Sequence, residues 1–118
     1  MERVEFISTE SGDDLIASFA IGGTDPDEIR SLILMRTLKY EFTLDDSERG
    51  VSVSDEERDE DDADLLEEIE FRGDEVEIAS RNAHYQLDCR RVDPEELEEA
   101  KKIRHAMNFD NRFRIHVS

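Results

Sequence analysis

The sequence predicts an α+β domain: a mostly antiparallel β-sheet, one well-defined helix at 94–107 and a candidate second helix at 26–37. Three observations carry that expectation. Apolar and polar residues alternate over several short runs, the signature of half-buried strands. Gly73 and Asp74 separate two such runs and form a two-residue hairpin tip. The run D93-PEELEEAKKIRHAM-N108 has an aspartate to cap it, a proline at its first position and apolar residues at helical spacing.

Taken in order, Val4, Glu5 and Phe6 alternate as a strand does, and TESGDD supplies a turn. Leu15 to Ile21 makes the next strand, with Leu15, Ala17, Phe19 and Ile21 on one face. In DPDEI, Asp25 reads as an N-cap, Pro26 as the first helical residue and Glu28 as the third member of a capping box. Ile29, Leu32, Ile33 and Arg36 then share one helical face, with a buried strand as the alternative because IRSLILMRT is apolar on nearly all sides. KYEFTL alternates again, grouping Tyr40, Phe42 and Leu44, and VSVS is a short strand.

The second half is clearer. IEFRGDEVEIAS reads as a hairpin with Ile69, Phe71, Val76 and Ile78 inward. HYQLDCR places Tyr85, Leu87 and Cys89 on one face. In the helix, Asp93 caps, Glu96 closes a capping box and Leu97, Ala100, Ile103 and Met107 form the buried stripe. Acids crowd its first turns, and Lys101, Lys102, Arg104 and His105 its last, matching the helix dipole. RFRIHV closes the chain with Phe113, Ile115 and Val117 inward. VEF, GDD, IAS and DPDEI recur as IEF, GDE, IAS and DPEEL at offsets of 61 to 68 residues. A duplicated β-β-α-β unit would produce that order, and so would coincidence in a chain rich in Asp and Glu.

At 118 residues the chain is read as one domain, 1–118, with an acidic, partly mobile segment at 55–64. Charged residues make up 41 % and the net charge is −18. Residues 55–70 hold eleven carboxylates against Arg58, so this short stretch carries −10 of that total. Such a balance repels nucleic acid and anionic lipid and favours a cationic protein partner. Only three lysines stand against twelve arginines, a balance that salt adaptation or a GC-rich genome also produces. The opening MERVEFISTE has no basic stretch before an apolar run, and no apolar run approaches membrane length, so a cytoplasmic protein is expected.

The candidate partner-binding residues are Asp55, Glu56, Glu57, Asp59, Glu60, Asp61, Asp62 and Asp64, within an engaging segment of 55–70. As a calcium loop starting at Asp59 the run fails, because Ala63 replaces a ligand and Asp64 the glycine that the turn needs. No metal and no cofactor is expected. Cys89, the only cysteine, falls on the core face, where a thiol is a small apolar filler and not a nucleophile. A second candidate is a polar face on which Arg72, His84, Arg90, Arg112, Arg114 and His116 would gather to bind an anion or carry a proton. The expected function is a small acidic non-enzymatic binding protein, of inhibitor or immunity type, that engages a cationic nucleic-acid-binding or toxin surface. The alternatives are an α+β domain whose acidity serves solubility, and an enzyme or anion-binding domain built on the His/Arg face.

Overall fold

Among the described residues eight strands form a single sheet. The structure is a computed structural model and describes residues 2–23, 25, 27–45, 49–55 and 64–117, with the backbone alone at 38, 40, 42, 116 and 117. The strands are β1 (Glu2–Ser11), β2 (Asp14–Gly22), β3 (Ile29–Thr37), β4 (Ser52–Asp55), β5 (Leu66–Arg72), β6 (Glu75–Ser80), β7 (His84–Asp88) and β8 (Arg114–Val117). One helix, α1 (Pro94–Met107), precedes β8, and a 3-10 turn at Leu38–Thr43 follows β3. The strand order is β4-β3-β2-β1-β7-β6-β5-β8. Only the β1–β7 and β5–β8 neighbours run parallel.

The sheet curls back on itself. Ser52 bridges Leu65, the Val53 amide donates to the Asp64 carbonyl at 2.9 Å, and the Leu66 amide donates to the Val51 carbonyl at 2.9 Å. The β4 edge is thereby stitched to the start of β5. Inside the curl, Phe19, Leu32, Leu34, Ile69, Ile78 and Leu87 meet Ala100, Ile103 and Met107 of α1 in one core. Burying each large side chain there is worth roughly 1.5–3 kcal/mol.

Several expected elements form as read. The β5–β6 hairpin turns at Gly73 and Asp74, with Gly73 at a φ of +57°, where a side chain would be strained. Asp93 caps α1 by accepting the Glu95 amide at 2.9 Å. The capping box, however, is not reciprocal. Glu96 instead accepts the Ile7 amide at 2.8 Å. β7 pairs with β1 only at Glu2 and Arg3, so beyond them this side of β1 has no strand partner, and Glu96 docks the helix there.

Two expectations are corrected. Among the described residues of 26–37 there is no helix: Ile29–Thr37 is β3, paired along its length with β2, and Pro26 lies outside the described residues. Its inward residues are Leu32, Leu34 and Arg36, while Ile33 and Met35 lie on the outer face, so apolar residues on both faces imitate a helical pattern. Where β2 meets β3, the Glu28 amide donates to the Asp25 carbonyl and the Gly23 amide to the Glu28 carbonyl. KYEFTL does not extend as a strand either. The 3-10 turn brings Glu41 back onto Arg36, five residues away, which an extended chain would hold about 16 Å apart. The β-β-α-β repeat is not confirmed by this arrangement. β4 pairs antiparallel with β3, whereas β8 pairs parallel with β5.

Val4 and Phe6 do not share a face. The register slips between them against β2, so Val4 and Ile7 point inward and Phe6 outward.

Arg36 is the most deeply buried charged side chain, 2 % exposed. Its Nε donates to Glu41 Oε2 at 2.8 Å, and its Nη2 to Glu41 Oε1 at 2.9 Å and Asp110 Oδ2 at 2.8 Å. Its Nη1 donates to Asp110 Oδ1 at 2.8 Å and to the Met107 carbonyl at 2.7 Å, so every N–H is matched. The guanidinium also lies 4.3 Å from the Phe109 ring centroid. Burial alone would lower its pKa, but the hydrogen bonds to Asp110 and Glu41 outweigh that and raise it. The Arg36 hydrogen bond in turn holds Asp110 well below the ordinary carboxylate range, against burial and with help from Arg112.

Replacing Arg36 with Met is expected to destabilise the fold by about 3–5 kcal/mol in urea denaturation, because two carboxylates and a helix-end carbonyl lose their donor. Because the folded pKa of Asp110 is depressed, its contribution is fully present above its unfolded value and is lost as pH falls below about 4 toward the folded value. Wild-type stability should drop across that acid window, and Arg36→Met should lose much less there.

Candidate functional site

The acidic run leaves β4 and returns at β5, and both of its ends are pinned. Asp55 is 5 % exposed and Asp64 7 %. Asp55 Oδ2 accepts the Tyr85 hydroxyl at 3.1 Å, and Arg30 Nε lies 3.3 Å from Oδ1. Asp64 Oδ2 accepts the Ser80 hydroxyl at 2.6 Å and Oδ1 accepts the Asn82 amide at 3.1 Å. These two candidate partner-binding carboxylates therefore turn inward. Their alternation explains it, since Asp55 lies in register with inward Leu32. Glu56, Glu57, Asp59, Glu60, Asp61 and Asp62 lie outside the described residues.

The His/Arg residues fall mostly on the outer face of β8, β5, β6 and β7, but not as a cationic surface. Arg72 pairs with Glu70 at 2.7 Å, His84 with Glu77 at 2.6 Å and Arg90 with Asp88 at 2.8 Å. Arg114 pairs with Glu68, and Arg112 with Asp110 at 2.8 Å. The Arg90 hydrogen bonds pull the Asp88 carboxyl down and raise the Arg90 guanidinium in return. His116 lies in backbone register with Glu70, and its side chain is outside the described atoms. Arg72, His84 and Arg114 lie on the outer faces of their strands, whereas Arg90 follows β7 and Arg112 precedes β8, and carboxylates share that face with them. Strand pairing interleaves the two signs into a self-paired mosaic.

Arg112 lies elsewhere. It lines a cleft of about 460 Å³ with Arg49 and Arg81, beside Glu67, Asp110 and Asn111. Gly50, at a φ of +136°, and Asn111, at +55°, shape the cleft wall. Arg49 and Arg81 went unrecognised in the sequence, where nothing joins them to Arg112. The fold brings the three together where β4 is stitched to β5.

The outer face of β1–β4 has the opposite character. Phe6, Ile16, Ile29, Ile33 and Met35 point outward from it, interleaved with Ser8, Ser18, Ala20, Ser31, Ser52 and Ser54. Phe6 is 46 % exposed, Ile29 49 % and Met35 38 %. Among the outward residues of these strands the ionisable ones sit at the two ends, Glu10 and Asp14 at one and the Arg3–Glu5 ion pair, at 2.7 Å, at the other.

Cys89 is buried, and burial pushes its thiol up to about 12, with Asp88 and Asp74 adding to the shift. At neutral pH it stays a thiol. On α1, Arg104 joins the buried stripe and lies 4.6 Å from the Phe71 ring centroid. Burial lowers its pKa, and its Nε has no hydrogen-bond partner. Among the described residues no group of three His, Cys, Asp or Glu is placed to hold a metal ion, and no helix is long and apolar enough to cross a membrane. No family model, curated protein or solved structure matches the chain.

The pinned ends are open to test. Asp64→Ala leaves the Asn82 amide and the Ser80 hydroxyl without their acceptor and should cost about 1–3 kcal/mol in urea denaturation. A carboxylate on a solvated run would cost within ~0.5 kcal/mol.

Proposed function

We propose that this chain is a small non-enzymatic binding protein, of inhibitor or immunity type, that engages a cationic protein surface through the acidic run within residues 55–70. The observation that carries the proposal is the anchoring of that run. Asp55 and Asp64 are committed inward at its two ends, and the β4–β5 stitch ties those ends together. Between them, residues 56–63 carry six carboxylates less Arg58, a charge of −5. Joining the ends of a loop reduces the entropy it loses on binding.

The physics is counterion release. A row of carboxylates set against an arginine- and lysine-rich groove takes the place of phosphates, and both surfaces give up condensed ions. The self-paired mosaic also favours a cationic partner over an anionic ligand. Arg72, Arg90 and Arg114 each already hold a carboxylate, so an anion arriving there must compete with an intramolecular pair. The Arg49–Arg81–Arg112 cleft favours a second reading, an anion-binding domain.

A fluorescent oligoarginine peptide titrated at two ionic strengths separates these readings. Binding to the wild type should weaken steeply with salt. A variant with Glu56, Glu57, Asp59, Glu60, Asp61 and Asp62 changed to their amides should bind about tenfold more weakly, with a shallower salt slope. Equal affinity and slope for the two proteins would reject the acidic run as the contact and leave its charge a role in solubility.

A further inference from the structure

We propose that the outer face of β1–β4 is a self-association surface on which a second copy of this chain docks, sheet upon sheet. The first ground is charge. Each copy carries −18, so two copies approaching through acid-rich surface repel one another. The β1–β4 face presents Glu10 and Asp14 at one end and the mutually neutralised Arg3–Glu5 pair at the other, so copies meeting through it bring little net charge together.

The second ground is shape. Ser18 and Ile33 are in register at the middle of the face, with Ser8 and Ser54 beside them. Bulky Phe6, Ile16 and Met35 stand among these small side chains. Bulky positions of one copy can rest over the serines of the other at the ~10 Å separation of packed sheets. A two-fold axis in the plane of the face and perpendicular to the strands makes this arrangement self-complementary. It also sets the Glu10 and Asp14 end of each copy over the Arg3–Glu5 end of its partner.

The third ground is area. Four strands ~4.8 Å apart and up to ~30 Å long span roughly 500–600 Å². Two such faces bury about 1,100 Å² in total, at the lower edge of specific interfaces, which points to a reversible dimer.

The test is sedimentation velocity of the full chain from about 1 to about 200 μM at low and high salt. The expected result is concentration-dependent formation of a dimer, twice the 13.7 kDa of one chain. Its Kd should fall about tenfold as salt screens the repulsion between copies. That sign is opposite to the one expected for a cationic partner, so failure of either proposal leaves the other standing. Ser18→Asp and Ile33→Asp, each confirmed folded by circular dichroism, should abolish the dimer by placing like charges at its centre. Gln86→Glu, on the other outer face, should leave it intact. A monomer at every concentration in both salts overturns the proposal, as does a dimer unaffected by Ser18→Asp.

Discussion

The buried guanidinium of Arg36 is the interaction on which the rest of the structure depends. It reaches inward from β3 and binds Glu41 of the 3-10 turn, the last carbonyl of α1 and Asp110 in the connection to β8. Elements that pack in the core through non-directional contacts are thereby held in one orientation. Arginine suits this position because its planar fork can bind two carboxylates side by side and still donate to a carbonyl. A lysine has three donors at one point and could not span that geometry. By fixing Asp110, Arg36 also fixes the paired Arg112, and so one wall of the cleft beside the β4–β5 stitch.

Electrostatics sorts the surface into regions of different kind. Asp55 and Asp64 are drawn inward and bonded to uncharged donors, with Arg30 near Asp55, so these two carboxylates act as fastenings. Across β5–β8, each arginine is matched by a carboxylate on its own or a neighbouring strand, and net charge there is moderate despite a high density of ions. Across β1–β4 the outer face carries ions only at its two ends, Glu10 and Asp14 at one and the Arg3–Glu5 pair at the other. A net charge of −18 is thus compatible with a stable fold because like charges are either dispersed into pairs or set apart from the packed surfaces.

How far the sequence could be read depended on whether a local rule stood alone or competed with a distant contact. The β5–β6 hairpin was legible because Gly73 at the tip and alternating Ile69, Phe71, Val76 and Ile78 agree on one register. α1 was legible from Asp93, Pro94 and its stripe, although the stripe also takes in Arg104, whose aliphatic stem lets it line the core. β3 was misread because Ile29, Ile33 and Met35 on its outer face are as apolar as Leu32 and Leu34 on its inner face, which removes the period-two signal. Glu96 was assigned to its own helix cap, whereas the open side of β1 claimed it. Of the His/Arg candidates, Arg72, His84 and Arg114 lie outward on their strands as alternation predicts, but their partners Glu70, Glu77 and Glu68 come from strand pairing and local side-chain geometry that spacing along the chain does not display.

By itself, the sequence determined the α+β class, the one long helix, the central hairpin and the inward position of Cys89, because each depends on periodicity or turn chemistry within a few residues. Tertiary structure alone decided that 29–37 is a strand, that Asp55 and Asp64 are buried, and that Arg49, Arg81 and Arg112 share a cleft. Those outcomes rest on contacts between residues tens of positions apart. Strand registry and burial cost set them, and neither quantity is defined until the sheet has curled and closed its core.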